Sequence, residues 1–522
     1  MRRSTLFVVI VGLSTLFLAG VSHGWQGRMA GMGDPFGLVQ DESDFLIHPS
    51  EIADGKGVNF YGNYRFNWRD VTDWNYSSNL FTPAGLTEIW PYQGSGNDYE
   101  HNALLGAAFP LGPGRTGLFF EYSGRRDDYD GDEKEHFLSA FYYHTYRLKS
   151  DLDAFSLRLL YGLPMGKFKL GGEVQLAYRQ EENETFINED ISPGIHTVRV
   201  LRTNYPLGGT APWLNLFPFM TPYNSNYWEA LFKGSLEGTI GSAKMAFTTR
   251  GGFIFSGESK YDAMSLYPAG APPDLANTEG DVKGWRIGGD FWLRVPSSNG
   301  LSFPFLVKAD YQKKTRDGDG PGVGFPFPLG TVVGNVEYAN HEQTLQIEAG
   351  GGIDKEFAGR TRVAAGIYYG YLQNKNHVDF AWLQGVTWRN DDYSSSPDRR
   401  ENQVIVKLSG EKEISPAVDL RMGINFFYGW VEEDSRYNFA TSLFPLTLGS
   451  RSSSDGFHWG LAASLGGTVR FNRFSLEPFI IGGYQKLNLT GDGFETVYIP
   501  GVLDGDMVRK EWSLGGGLSI RF

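Results

Sequence analysis

The chain contains no cysteine, which excludes disulfides, thiolate metal sites, c-type haem attachment and a lipid-bearing N-terminal cysteine. After its first two dozen residues it also lacks any stretch approaching the roughly 20 apolar residues that a helical membrane span requires. Base is scarcer than acid: 47 lysines and arginines face 60 aspartates and glutamates, a net charge of -13 that argues against a nucleic-acid partner. Much of the acid is clustered, as at 126–133 and 181–184. What is abundant is glycine (68) and aromatic residues, with Phe 38, Tyr 27 and Trp 13. A soluble chain of 522 residues would divide into several domains, whereas one large closed sheet accommodates both the length and the composition. If the chain enters a membrane it does so as a barrel, the architecture besides the helix that satisfies every backbone polar group in lipid.

The last twelve residues alternate. Trp512, Leu514, Gly516, Leu518, Ile520 and Phe522 occupy one face, and Glu511, Ser513, Gly515, Gly517, Ser519 and Arg521 the other. A period of two with apolar and polar sides is a β-strand between two solvents. The ending Gly517 to Phe522 resembles the terminal signal that bacterial outer-membrane barrels present to the barrel-assembly machinery, with Leu518, Ile520 and Phe522 as its apolar positions. Ile520 stands where a second aromatic is usual. The resemblance implies that assembly machinery, and outer-membrane lipid with lipopolysaccharide, as partners.

At the other end, residues 1–24 read as a secretory signal: Arg2 and Arg3, an apolar run from Thr5 to Val21, then small residues at Ser22-His23-Gly24. A retained anchor is the alternative. Residues 25–56 carry Gly31-Met32-Gly33, the acids Asp41 and Asp44, and His48-Pro49 followed by Ile52-Ala53. This segment resembles the N-terminal element of the long-chain fatty-acid transporter family and its outer-membrane relatives, with His48, Ser50 and Glu51 in place of the family's Asn, Ala and Gly. The resemblance implies that Gly31, Met32, Gly33, Asp41, Asp44, His48, Pro49 and Ile52 form a plug tucked into a barrel. A periplasmic lead-in without a gating role is the alternative.

From 57 to 522 one unit repeats: alternating strand, long polar connection, alternating strand, short turn. In the first strand Val58, Phe60, Gly62, Tyr64, Phe66 and Trp68 alternate with Asn59, Tyr61, Asn63, Arg65, Asn67 and Arg69, the pattern of a lipid face and a watery lumen. Seven short turns are expected near Gly112, Met165, Gly241, Ser298, Ala358, Pro416 and Asn472. Eight long loops are expected near 70–98, 128–150, 181–224, 257–280, 316–339, 376–399, 433–455 and 490–508. The expected fold is therefore all-β, a transmembrane antiparallel barrel of about 16 strands (14 or 18 being alternatives), with short turns periplasmic and long loops outside.

Such a barrel encloses a lumen wide enough for an aqueous channel unless filled. Inward positions include Arg65, Arg69, Lys233, Arg250, Arg286, Asp290, Arg294, Lys308, Arg421 and Arg470. Either this wall biases anion conduction or its charges pair across strands and hold the lumen. The connections are apolar as well as acidic, most of all at Trp213, Leu214, Phe217 and Phe219, a collecting surface for hydrophobic solutes or a self-packed cap. Their prolines point to folded loops rather than strands. No metal or cofactor is expected, because the runs at 128–133 and 317–320 lack the calcium-hand pattern. No spacing marks a nucleophile and base, although His458 near Asp455 is noted. The sequence thus points to an outer-membrane channel for small, hydrophobic solutes. A water-filled, weakly anion-selective porin and a scaffold barrel for a partner complex are the alternatives. Its oligomeric state stays open.

Overall fold

Alternation of large apolar with small or charged residues produces one antiparallel sheet that closes on itself in the computed structural model. The structure describes residues 29, 32, 38–39, 42–81, 87–137, 140–192, 195–201, 224–266, 274–324, 332–358, 360–383, 391–441, 446–472, 474–496 and 500–521. The secretory signal, Gly31, Gly33, Asp41, the Trp213–Phe219 patch and Phe522 lie outside these residues. β1 (Asn59–Phe81) pairs on one side with β2 (Thr87–Leu111) and on the other with β17 (Pro500–Arg521), so the first and last strands seal the wall. Between them run β3 (Gly114–Phe137), β4 (Ala140–Met165), β5 (Phe168–Ser192), β6 (Ile195–Leu201), β7 (Asn224–Ile240), β8 (Ala243–Leu266) and β9 (Asp274–Pro296). β10 (Leu301–Gly324), β11 (Val332–Phe357), β12 (Thr361–Leu383), β13 (Asp391–Ser415), β14 (Val418–Thr441), β15 (Leu446–Phe471) and β16 (Phe474–Thr496) complete the order.

β6 has only seven residues. It pairs with β5 at Thr185–Ile191 and with β8 at Ala263–Leu266, directly beyond the stretch where β7 pairs with the same two strands. It therefore continues the stave of β7, and seventeen strands make a closed barrel of sixteen staves. The seven short turns fall where the sequence places them, six of them with positive φ, at Gly112, Gly166, Gly241, Asn299 with Gly300, Arg360 and Asn472. Tight hairpins require that left-handed backbone.

The two faces separate cleanly. Along β14, Leu420, Met422, Ile424, Phe426, Tyr428 and Trp430 are all exposed outward, while Arg421 between them is 2% exposed. A soluble strand would bury the leucine and display the arginine. The reversal identifies the outer surface as the one facing lipid. No helix among the described residues is long and apolar enough to cross a membrane, and the staves do so instead.

One expectation is corrected. The expected long loops are largely strand: β3 continues through the acidic run to Phe137, β10 through Asp317–Gly320 to Gly324, and β1 to Phe81. Strands of 22 to 26 residues are the rule here, against the roughly 9–11 a membrane crossing needs, so the outer halves stand beyond the bilayer. There both faces are wet, the apolar alternation that marks a membrane strand disappears, and a paired strand reads as a polar loop. Pro91, Pro321 and Pro397 sit within these strands, whereas the prolines of the apolar stretches expected to fold as loops, Pro83, Pro206, Pro212, Pro218, Pro326, Pro328 and Pro445, lie outside the described residues. The segment 140–143 belongs to β4, which pairs with β3 as far as Ala140 opposite Phe137.

Candidate functional site: the lumen and its docked N-terminal segment

Residues 42–54 fold as two short 3-10 helices, Glu42–Leu46 and Pro49–Asp54, and lie against the inner wall. Pro49 opens the second helix, where a missing N–H costs nothing. Phe45, Leu46 and Ile52 pack with Tyr61, Leu104, Ala108, Phe119 and Leu160 of β1 to β4. Met29, Met32, Leu38 and Val39 form a second cluster with Ala246, Trp292, Leu306, Ala364 and Tyr368 of β8 to β12. The segment thus leans on two stretches of wall. Ile52 is 2% exposed and Met32 1%, so both anchors exclude water.

Between the anchors a polar seam fixes the backbone. The carbonyl of Leu46 accepts from Arg158 Nη2 at 2.9 Å and from Lys233 Nζ at 2.7 Å. Both cations share Glu173, which accepts from Arg158 at 2.8 and 3.0 Å and lies 3.3 Å from Lys233. Ser50 donates its N–H to Ser235 Oγ at 2.7 Å, and Lys169 pairs with Asp54 at the turn end. His48 Nδ1 is 2.6 Å from Thr248 Oγ1 and 3.3 Å from Asp290. Burial disfavours the charged imidazole, and Arg250 and Lys233 repel it, so its pKa falls to about 4. Asp290 works in the opposite sense, but it is already engaged with Arg250 at 2.8 Å.

Two glycines make this seat. A Cβ at Gly171 of β5 would fall within the backbone of Pro49 and Ser50, and one at Gly162 of β4 would lie 2.6 Å from Ile52 Cγ2 and 3.0 Å from the Ala53 nitrogen. Neither glycine, nor Ser235 or Thr248, carries a sequence signal for this role, because each is an ordinary small inward residue of its own strand.

The inward charges are engaged with one another. Arg69 meets Glu100 at 3.2 Å, Arg286 meets Glu229 at 3.0 Å, and Arg250 meets both Asp290 and Asp310. Arg294 and Arg362 share Asp354, and Lys308 lies 3.6 Å from Asp310. Arg421 meets Glu411 at 2.7 Å, Arg470 pairs with Asp419, and Arg65 donates to Asn67 at 2.8 Å. Each of the ten charged positions expected to face the lumen thus has a hydrogen-bonding partner or counter-charge beside it.

Besides its paired charges, the inner face of β14 to β16 carries Phe427, Ala462, Ile481 and Gly483, and a cavity of about 170 Å³ opens against them, bounded also by Arg65, Asn425, Ser464 and Gln485. His458 faces the lumen with its ring 5.3 Å from that of Phe427. Asp455 is an odd-numbered neighbour on the outward face of the same strand, so the two do not form a pair. Leu518 and Ile520 lie in β17, opposite Gly62 and Phe60 of β1, and their strand completes the closure.

The fold and its contents define a transmembrane barrel of sixteen staves, partly filled by its own N-terminal segment. No family model matches the chain, and no curated protein matches it in sequence. Among solved structures it is similar to the Pseudomonas putida toluene transporter TodX, at 12% identity and a TM-score of 0.37 over 96% of this chain and 99% of that one. A Pseudomonas aeruginosa FadL homologue is similar at 12% identity and a TM-score of 0.38, over 96% and 99%. The Ralstonia pickettii toluene transporter TbuX is similar at 12% identity and a TM-score of 0.34, over the same shares. Overlap at these scores bears on neither substrate nor direction of passage.

Proposed function

We propose that the chain is an outer-membrane channel through which small hydrophobic or amphipathic solutes pass down their gradient. The route runs along the inner face of β14 to β16, past the docked segment. The carrying observation is the cavity of about 170 Å³ beside Phe427, Ala462 and Ile481, on the stretch of wall that neither anchor of the segment covers. A space of this size is large enough for a single aromatic ring, which would lie against Phe427, Ala462 and Ile481 with Arg65, Asn425, Ser464 and Gln485 on its polar side. The lipid-facing belt supports residence in a membrane, export through residues 1–24 belongs to the same reading, and Leu518, Ile520 and Phe522 would present the strand end to the assembly machinery. Pairing of the lumen charges weighs against an anion-biased aqueous pore, because a paired wall projects little net field.

The test is uptake of a single-ring hydrocarbon into proteoliposomes. Phe427→Trp and Gly483→Leu each fill the cavity from its own wall and should cut uptake about five-fold or more. Heat-modifiable mobility in gels checks that the barrel is intact. Uptake unchanged in both folded variants refutes the route, and a large steady conductance of the unaltered chain in a planar bilayer would favour the water-filled porin instead.

A further inference from the structure

The outer half of the barrel contains a second closure unrelated to the N-terminal segment. Glu181 of β5 accepts from Lys314 at 3.1 and 3.2 Å, from Arg316 at 2.7 Å and from Tyr227 at 2.8 Å. Lys314 and Arg316 belong to β10, four staves away from β5. Glu342 of β11 completes the group, 2.6 Å from Arg316 and 3.5 Å from Lys314. Two cations and two carboxylates therefore balance. On a regular barrel of this size, staves four apart face each other across a distance on the order of 20 Å, more than a glutamate and a lysine placed end to end. The wall must fold inward here, and it does. The register of β8 slips between Ile254 and Glu258. At Gly257 a Cβ would lie 2.7 Å from that of Tyr227 and 2.8 Å from that of Val282, so β7 and β9 meet in front of β8.

The group is shielded most at its centre: Arg316 is 0% exposed, between its cross-strand neighbours Val282 and Asn340, while the side chains of Lys314, Glu181 and Glu342 are 9, 14 and 23% exposed. It sits just outside the level of Tyr178, Trp228, Trp285 and Tyr311, the aromatic ring pairs on the outer wall, hence at the outer edge of the lipid belt. The geometry points to a specificity device: Glu181, Lys314, Arg316 and Glu342 form an ionic clasp that seals the β5–β11 side of the lumen against water and ions and directs passage to the route beside β14 to β16. This rests on the proposed route. Charged groups already paired in a shielded cluster exchange poorly with hydrated ions, whereas the cavity opposite offers a solute the apolar faces of Phe427, Ala462 and Ile481 beside the polar Arg65, Asn425, Ser464 and Gln485.

The absence of cysteine makes the test direct. Gln312, inward on β10 one inward position below Lys314, becomes Gln312→Cys in the full-length chain, and a charged, membrane-impermeant thiol reagent is added from outside. Labelling should be slow. Glu181→Lys, which sets three cations against one carboxylate, should raise the rate at least ten-fold, and adding Lys314→Glu, which restores two against two, should bring it back. Equal labelling rates in all three heat-modifiable barrels overturn the clasp. If Glu181→Lys does not fold, Glu181→Gln carries the same expectation at smaller amplitude, and no increase there overturns it equally. Hydrocarbon uptake measured on the Phe427→Trp variant reports on the route alone, so the failure of one reading is distinguishable from failure of the other.

Discussion

Gly171→Ala isolates the docking of the N-terminal segment from the stability of the barrel. Gly171 lies within β5, and its φ is not in the left-handed region, so alanine suits the strand at least as well as glycine. The added methyl meets the backbone of Pro49 and Ser50 rather than a side-chain tip, and backbone cannot rotate aside. Overpacking of this kind costs about 1–3 kcal/mol, and displacing Ser50 also forfeits its bond to Ser235, worth about 1 kcal/mol. Docking weakens by about 2–4 kcal/mol in total, and the undocked population rises on the order of 30- to 1,000-fold. Hydrogen exchange reads this directly. The amides of Ile47, Glu51 and Gly55 are held by Asp44, His48 and Ile52 within the segment, and their exchange should accelerate by that factor while the β1–β17 seam stays protected. Gly162→Ala meets the Ile52 side chain first and should act more weakly. Exchange unchanged in a folded Gly171→Ala barrel, or loss of protection throughout the wall, would refute the reasoning.

Three further outcomes are expected. His48 is neutral when docked, with its pKa held at about 4, whereas a free imidazole titrates near 6.5. Docking is therefore at full strength above pH 6.5 and weakens as the pH falls towards 4, by about 3 kcal/mol at most. Protease cleavage of the segment should rise over that window, and His48→Asn should flatten the profile. Arg158→Met leaves Glu173, whose side chain is 1% exposed, facing Lys233 alone, which costs about 3–5 kcal/mol. A lowered urea midpoint would show it, with partial recovery in Arg158→Lys. Ile367→Arg on the outward face of β12, where Ile367 is 63% exposed, should destabilise the barrel in bilayers by about 2–4 kcal/mol. Thr315→Arg on the outer half should leave unfolding in lipid vesicles unchanged, and equal effects at the two sites would undo the assignment of the lipid face.

The wall was legible because its evidence is local. Phe60, Tyr64 and Trp68 against Asn59, Arg65 and Asn67 report two different solvents on one strand, and the turn at Gly241 announces itself in two residues. From these the barrel and its sixteen staves follow. Where both faces are wet, as in the outer half of β3 or β10, alternation carries no contrast, and paired strand is indistinguishable from loop. The N-terminal segment was legible as a motif, yet nothing in it names its seat. Gly171 and Ser235 matter only because β5 and β7 bring them beneath Ser50. Glu181 has the appearance of one acid in a surface run. It becomes the centre of an ionic clasp only when closure and register set it opposite Lys314 and Arg316, more than 130 residues away along the chain. The periodicity of a strand is written in its neighbours, but contact across a lumen depends on how many staves lie between and how far the wall bends, and only the closed sheet decides that.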